Sequence, residues 1–283
     1  MNQVRDLFRR TSLLFVKYPV LWLPLVLADV LRTLLQSFAQ PLTRNALLAA
    51  APRSTITGGI AGPPPQWKIE LIVGAIGFAA VVLGLFFLLY ALGVVARAVQ
   101  PERSIDRQTP ELHFQIPEGI ATVLAQVAGL AALFYLFLAE IVNGFVVSRA
   151  AHAHMAATPL QWLVFAVVAP VFLLVLYLAV APLRRYVLRV QAAASAAPPQ
   201  ADARHERKLP YFLLLALAAL CSNLASLGIA SALQRRMGAV RFAPSTTLLL
   251  LQVMTSIATA LPYAYAMSGF SLSPRSDEPE TES

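Results

Sequence analysis

The chain has 283 residues, of which 58% are hydrophobic and only 13% are charged, whereas a soluble domain carries about 25% charged residues. This composition predicts a single membrane domain, because no polar stretch of the sequence is long enough to build a soluble core. The net charge of +8 comes from basic residues beside apolar runs, which favours anionic lipid over nucleic acid as a partner. The single cysteine, Cys221, excludes an internal disulfide and a multi-cysteine metal site.

Residues 1–18 predict an amphipathic helix that lies on the membrane surface. Its apolar face consists of Val4, Leu7, Phe8, Thr11, Leu14 and Phe15. Charged residues interrupt the segment and no small-residue cleavage site follows, so we do not expect a cleaved signal peptide. The cations expected to bind an anionic leaflet are Arg5, Arg9, Arg10 and Lys17. Pro19 predicts a turn at Tyr18, where the chain changes from lying on the membrane to crossing it.

Six apolar runs follow, with lengths near or above the roughly 20 residues that cross a bilayer core. They cover residues 20–38, 69–96, 119–147, 160–182, 210–233 and 245–268. The predicted fold class is therefore an all-α, polytopic six-transmembrane-helix bundle over residues 19–270, with the interfacial helix in front of it. The tail, 271–283, is acidic and polar, and we expect it to be disordered.

The gaps between the runs differ in their content of Lys and Arg. Gaps on the side of the N-terminus contain more of these residues than the gaps on the other side. Because positive residues near span ends stay in the cytoplasm, we expect both termini to be cytoplasmic, in a bacterial inner membrane. Arg235, Arg236 and Arg241 oppose this bias, since all three fall in one predicted outer loop.

The predicted spans contain several charged and polar residues, and four of them are expected to lie close together. An unpaired charge in hydrocarbon costs at least about 2.5–3.5 kcal/mol, so each charged residue needs a partner. Asp29 and Arg32 are three residues apart and can pair locally, while Arg32 can also reach Glu140. We therefore expect helices 1, 3 and 5 to meet around an interior polar cluster, which is either structural or functional. Its members are Asp29, Arg32, Glu140 and Asn223.

Helix 6 carries a polar stripe on one side. Its residues, at positions i, i+4 and i+7, are Gln252, Ser256 and Thr259. The stripe should face other helices and not lipid, for helix association or along a transport path.

The sequence contains none of the common catalytic motifs. It has no Gly-x-Ser-x-Gly and no Gly-x-x-x-x-Gly-Lys, so acyl and phosphoryl transfer by those routes are not supported. His152 and His154 are two residues apart and do not share a helical face, which argues against a metal site. We therefore predict no catalytic residue, no metal and no cofactor.

The N-terminal part of the chain resembles a known group of membrane domains. The resemblance rests on Phe8, Arg9, Arg10, Tyr18, Pro19, Leu21, Trp22, Pro24 and Asp29, with the six-span layout behind them. In these features the chain is similar to bacterial six-helix domains of the glycerophosphodiester-phosphodiesterase membrane-domain type and similar uncharacterised families. The resemblance implies a six-helix membrane domain and carries no catalytic motif, so it implies no hydrolase activity.

These features favour a non-enzymatic accessory or organising role, in which the bundle binds membrane lipid or a partner membrane protein. A small-solute transporter or permease component is the first alternative, because of the interior polar residues and the prolines within the spans. An intramembrane enzyme is the second.

Overall fold

The computed structural model of the chain describes residues 2–50, 66–99, 105, 110–151, 157–195, 208–240 and 245–272. These residues form seven α-helices, and no strand occurs among them. The helices are α1 (Asn2–Lys17), α2 (Pro19–Ala50), α3 (Gln66–Ala98), α4 (Ile120–Ala151), α5 (Ala157–Ser195), α6 (Leu209–Val240) and α7 (Ser245–Phe270). The all-helical class predicted from the sequence is confirmed, and each of the six apolar runs falls in a helix of its own, α2 to α7.

Not all of these helices qualify as membrane spans within the described residues. Three segments are long and apolar enough to cross a bilayer: Gly74–Ala98, Ile120–Leu138 and Ala166–Ser195. The pair α1 and α2 adds a fourth if it is one bent span. The described apolar part of α6, Leu209–Ala225, is shorter than the roughly 20 residues of a full crossing. Three or four is fewer than the six predicted.

The chain turns sharply between α1 and α2, as Pro19 predicts. The two helices meet at 90°, with Tyr18 outside both of them. Proline lacks a backbone N–H and disfavours helical geometry at the preceding residue, which separates the helices at this point. The corner is braced by Trp22, whose Nε1 donates to the carbonyl oxygen of Phe15 at 3.1 Å. The two rings also stack, with their centroids 5.3 Å apart.

The apolar face of α1 packs against protein. Leu7, Thr11 and Leu14, which share one face of α1, are buried, and α1 contacts α6 and α7. The Tyr265 hydroxyl of α7 donates to the carbonyl oxygen of Phe8 at 3.1 Å. The face predicted to enter lipid is thus covered by neighbouring helices, because α6 and α7 offer it an apolar surface. Arg9 lies on the opposite, exposed face.

Ends of all seven helices lie at one end of the bundle, which we call the capped end. Here α3, α5 and α7 finish, α2, α4 and α6 begin, and α1 lies across the side of α7. Among the residues whose side chains are described, most of the buried ones lie at this end, including Leu92, Val95, Val187, Leu214 and Phe270. The packing of this end therefore sets the arrangement of the helices.

Substitution of Gly269 by Leu should release α1 from α7. A Cβ atom at this position would lie 2.7 Å from Leu214 Cδ1 and 2.9 Å from Thr11 Oγ1, too close for either contact. Overpacking of this kind costs about 1–3 kcal/mol. We expect faster tryptic cleavage at Arg9 and a lower melting temperature in detergent.

The matched control is Gly77→Leu, because nothing lies within 4 Å of a Cβ at Gly77. Equal cleavage rates in the Gly269→Leu and Gly77→Leu proteins would contradict the docking of α1.

Candidate functional site

Asp29 and Arg32 form an ion pair inside α2. Arg32 Nη2 lies 2.6 Å from Asp29 Oδ1, and Asp29 is buried while the Arg32 side chain is 40% exposed. The aliphatic part of Arg32 lies over Gly84 of α3, where a Cβ atom would come within 2.5 Å of Arg32 Cγ. The absence of a side chain at Gly84 thus leaves room for Arg32 between α2 and α3.

Tyr263 of α7 joins this pair, although the sequence did not single it out. It is half-buried and lies near enough to both Asp29 and Arg32 to interact with their charges. Tyr263 follows Ser256 by seven residues and therefore lies on the same face of α7. An extension of the polar stripe by two turns would have identified it. The site is thus built from α2, α3 and α7.

The other two members of the predicted cluster are placed differently or not described. Asn223 is exposed on α6, and its Nδ2 donates to the Ala219 carbonyl oxygen of the same helix at 2.7 Å. The side chain of Glu140 lies outside the described residues, so its approach to Arg32 stays a prediction. In the described part of the chain, α2 packs chiefly against α3 and α7, whereas the sequence predicted that it meets α4 and α6.

The polar stripe of α7 faces the bundle where it is described. Ser256 is buried, and Thr259 is half-buried with its Oγ1 donating to the carbonyl oxygens of Thr255 and Ser256, both at 3.0 Å. Met254, on the other side of the helix, is exposed. The side chain of Gln252 lies outside the described residues.

A second polar site closes the end of α7. The last carbonyl groups of a helix have no intrahelical partners and must be satisfied by other groups. Here Arg184 Nη1 donates to the Phe270 carbonyl oxygen at 2.6 Å, and the Tyr211 hydroxyl donates to that of Leu272 at 2.8 Å. The Arg184 guanidinium also lies over the Tyr211 ring, 4.9 Å from its centre. A positive charge at a helix C-terminus is attracted by the partial negative charge of the carbonyl groups, so Arg184 stabilises this end of α7.

Gln191 joins the ends of α3 and α7. Its Nε2 donates to the Ser271 carbonyl oxygen at 2.8 Å and to the Val99 carbonyl oxygen at 3.1 Å. One amide group of α5 thus uses both of its hydrogens to connect two helix ends. Gln191 is seven residues after Arg184, so both side chains lie on the same face of α5. This spacing indicates that they contact the same neighbouring element, but it does not identify that element as the end of α7.

The end of α3 is fixed to α5 and to the 110–119 segment. The Tyr186 hydroxyl of α5 donates to the Leu89 carbonyl oxygen at 2.9 Å. A Cβ atom at Gly93 would come within 2.5 Å of this hydroxyl oxygen and would also meet Pro117. Arg97 Nη1 donates to the Gln115 carbonyl oxygen at 3.0 Å.

An open cavity of about 680 Å³ lies beside this segment, lined by Arg97, Glu111, His113, Gln115, Glu118 and the end of α5. His113 Nε2 and Glu111 Oε2 are 3.9 Å apart, and both side chains are exposed. No group of three or more His, Cys, Asp or Glu residues that could hold a metal ion occurs in the described part of the chain.

The cations of α1 that were predicted to bind the membrane surface lie at the capped end. Arg5, Arg9 and Lys17 are exposed and Arg10 is half-buried. Lys17 Nζ lies 5.6 Å from the centre of the Tyr18 ring.

Comparison of the chain with known protein families, with curated proteins and with solved structures gives no match. The resemblance to the glycerophosphodiester-phosphodiesterase membrane domain therefore stays a prediction.

Asp29→Asn and Arg32→Gln should each destabilise the protein, because either change leaves the other charge without its partner. The double variant should lose less stability than the two single variants lose together, with a coupling free energy of about 0.5–3 kcal/mol between the two residues. Melting curves in detergent for the four proteins measure this coupling. Additive losses would contradict a stabilising ion pair.

Gln191→Glu should destabilise the capped end, because it replaces two donors by acceptors that face two carbonyl groups. Loss of both hydrogen bonds with burial of unsatisfied groups should cost about 2–3 kcal/mol of unfolding free energy. Gln115→Glu is the matched control, since the Gln115 side chain is exposed. A Gln191→Glu protein as stable as the control would refute the bridging role of Gln191.

Proposed function

We infer that the chain is a six-span protein of the bacterial cytoplasmic membrane that has a non-enzymatic, organising role and binds lipid or partner helices. The observation that carries this proposal is the capped end. Its buried polar side chains, Arg184, Tyr186, Gln191 and Tyr211, all donate to backbone carbonyl groups and hold the helix ends together. Groups used in this way build a rigid platform at one membrane face, which is what a scaffold for lipid or partner helices requires.

The lengths of α2, α6 and α7, the helices outside the three candidate spans, support six spans. α2 and α6 have 32 residues each and α7 has 26. At 1.5 Å per residue they are about 48 Å and about 39 Å long, more than the roughly 30 Å of a bilayer core.

The charge of the capped end supports its assignment to the cytoplasmic side. Its described cations are Arg5, Arg9, Arg10, Lys17, Arg97, Arg184, Arg185, Arg189 and Lys208, and its described acids are Asp6, Glu111 and Glu118. Positive residues at span ends favour the cytoplasm. Arg235 and Arg236, predicted to lie in an outer loop, belong to the last turns of α6.

Helix α1 fits an organising role at this face. It meets α2 at 90°, so it lies along the membrane surface when α2 crosses the bilayer. Its docking on α6 and α7 holds Arg5 and Arg9 in a fixed position relative to the bundle, where they attract anionic lipid.

A small-solute transporter is the second candidate, and the pair of Asp29 and Arg32 favours it. Ionisable residues inside spans often mark substrate or proton pathways. The unaltered protein and Asp29→Asn are compared in reconstituted vesicles at a temperature where both are folded. Solute flux that occurs with the unaltered protein and is lost with Asp29→Asn would favour transport over the organising role.

Cys221 tests whether α6 crosses the membrane. Its side chain is exposed on α6 in the structure, so lipid alone would protect it from a water-soluble thiol reagent. We expect no labelling by a membrane-impermeant maleimide in right-side-out or inverted vesicles, and full labelling after denaturation in SDS. Labelling of Cys221 in either kind of vesicle would contradict a membrane-spanning α6.

The orientation is tested in a Cys221→Ala background. Ser195→Cys, at the end of α5, should react only in inverted vesicles. Ser54→Cys, in the first predicted outer loop, should react only in right-side-out vesicles. The reverse pattern would place the capped end outside.

A further inference from the structure

The exposed face of α5 changes from apolar to basic as the helix approaches the capped end. Leu174, Tyr177 and Leu178 are exposed, and Arg185 is exposed two turns later on the same side of the helix. We call Leu174, Tyr177 and Leu178 the apolar strip of α5. In a membrane, this arrangement places the leucines among acyl chains and Arg185 near the phosphate groups.

A second cation, Lys208, reaches the same face from the position just before α6. Lys208 Nζ lies 6.0 Å from the centre of the Tyr177 ring, and this ring packs edge-on against Phe212 at 5.6 Å. Arg185 Nε donates to the Ala181 carbonyl oxygen at 3.3 Å, which turns its guanidinium back along α5. Tyr177 and Ala181 are neighbours on one helical face, so the two cations are directed at adjacent turns of α5.

No described carboxylate balances these two charges. Within the described residues, neither Arg185 nor Lys208 forms an ion pair. Arg189 adds a third positive charge one turn further on, with its Nη1 3.9 Å from the position of a Cβ at Gly119. An anion bound beside Arg185 and Lys208 would balance their positive charges.

We propose that this face of α5 and α6 binds one anionic phospholipid of the cytoplasmic leaflet, with its phosphate held by Arg185 and Lys208. Guanidinium and ammonium groups are the usual protein ligands of phosphate. The apolar strip fits a lipid, because an acyl chain can lie against Leu174 and Leu178 while the headgroup stays at the cations. The site rests on the proposed cytoplasmic position of the capped end and names a specific ligand there.

The test uses the full chain, purified and delipidated in mild detergent, with native mass spectrometry as the readout. Phosphatidylglycerol is titrated against phosphatidylcholine. The unaltered protein should retain phosphatidylglycerol preferentially. Arg185→Gln with Lys208→Gln should weaken its binding about 25-fold, since each cation near an anionic headgroup contributes about fivefold. Binding of phosphatidylcholine should not change.

Two control variants complete the design. Arg185→Lys with Lys208→Arg keeps both charges and should keep the preference for phosphatidylglycerol. Arg235→Gln with Arg236→Gln removes two cations from the last turns of α6, at the other end of that helix, and should leave the α5 and α6 site intact. Equal binding of phosphatidylglycerol by the unaltered protein and by the Arg185→Gln, Lys208→Gln double variant would overturn the site. An equal loss of binding in the Arg235→Gln, Arg236→Gln variant would overturn it as well.

Membrane extraction separates failure of the site from failure of the proposed function. A chain that carbonate washing releases from membranes would refute the membrane assignment itself. A chain that stays in washed membranes, but whose lipid binding is unaffected by Arg185→Gln with Lys208→Gln, would refute only the site.

Discussion

A helix that ends among other helices leaves carbonyl groups that water does not reach, and α7 ends in this way at the capped end. Its last two turn hydrogen bonds use the carbonyl oxygens of Ser268 and Gly269. The next three carbonyl oxygens accept from Arg184, Gln191 and Tyr211. An unsatisfied buried carbonyl costs about 1–3 kcal/mol. The positions of α5 and α6 are therefore constrained to those from which these side chains reach the end of α7.

The same requirement extends to the other helices. Gln191 also satisfies Val99, which places the end of α3 beside that of α7. Because α6 and α7 are held together, their surfaces form the apolar surface against which α1 packs. Gly269 lets α1 approach α7 closely. The position of α1 against α6 and α7 is therefore a consequence of how α7 ends.

The two buried polar sites differ in their interactions: one consists of hydrogen bonds to backbone carbonyl groups and the other of an ion pair. At the capped end, the buried side chains of Arg184, Tyr186, Gln191 and Tyr211 donate to backbone carbonyl groups, and the charge of Arg184 faces a helix C-terminus. Between α2, α3 and α7, the opposite charges of Asp29 and Arg32 face each other, and Tyr263 lies near enough to interact with both. The first arrangement holds helices in place, whereas an ion pair within spans can also respond to a proton or a solute. For this reason the first site carries the organising proposal and the second site carries the alternative.

The sequence by itself determined the helical class, the six apolar runs, the turn at Tyr18 and the pairing of Asp29 with Arg32, because each depends on residues close together in the chain. It did not determine which helices meet. Span depth placed Asn223 level with Asp29, but depth carries no information about rotation or neighbours, and Asn223 is exposed on α6. Amphipathicity identified the buried face of α1 but could not distinguish lipid from protein as its cover, since both are apolar. The roles of Arg184, Gln191 and Tyr211 were decided by the tertiary structure alone, because their partners are backbone carbonyl groups 61 to 92 residues away, which no side-chain pattern marks.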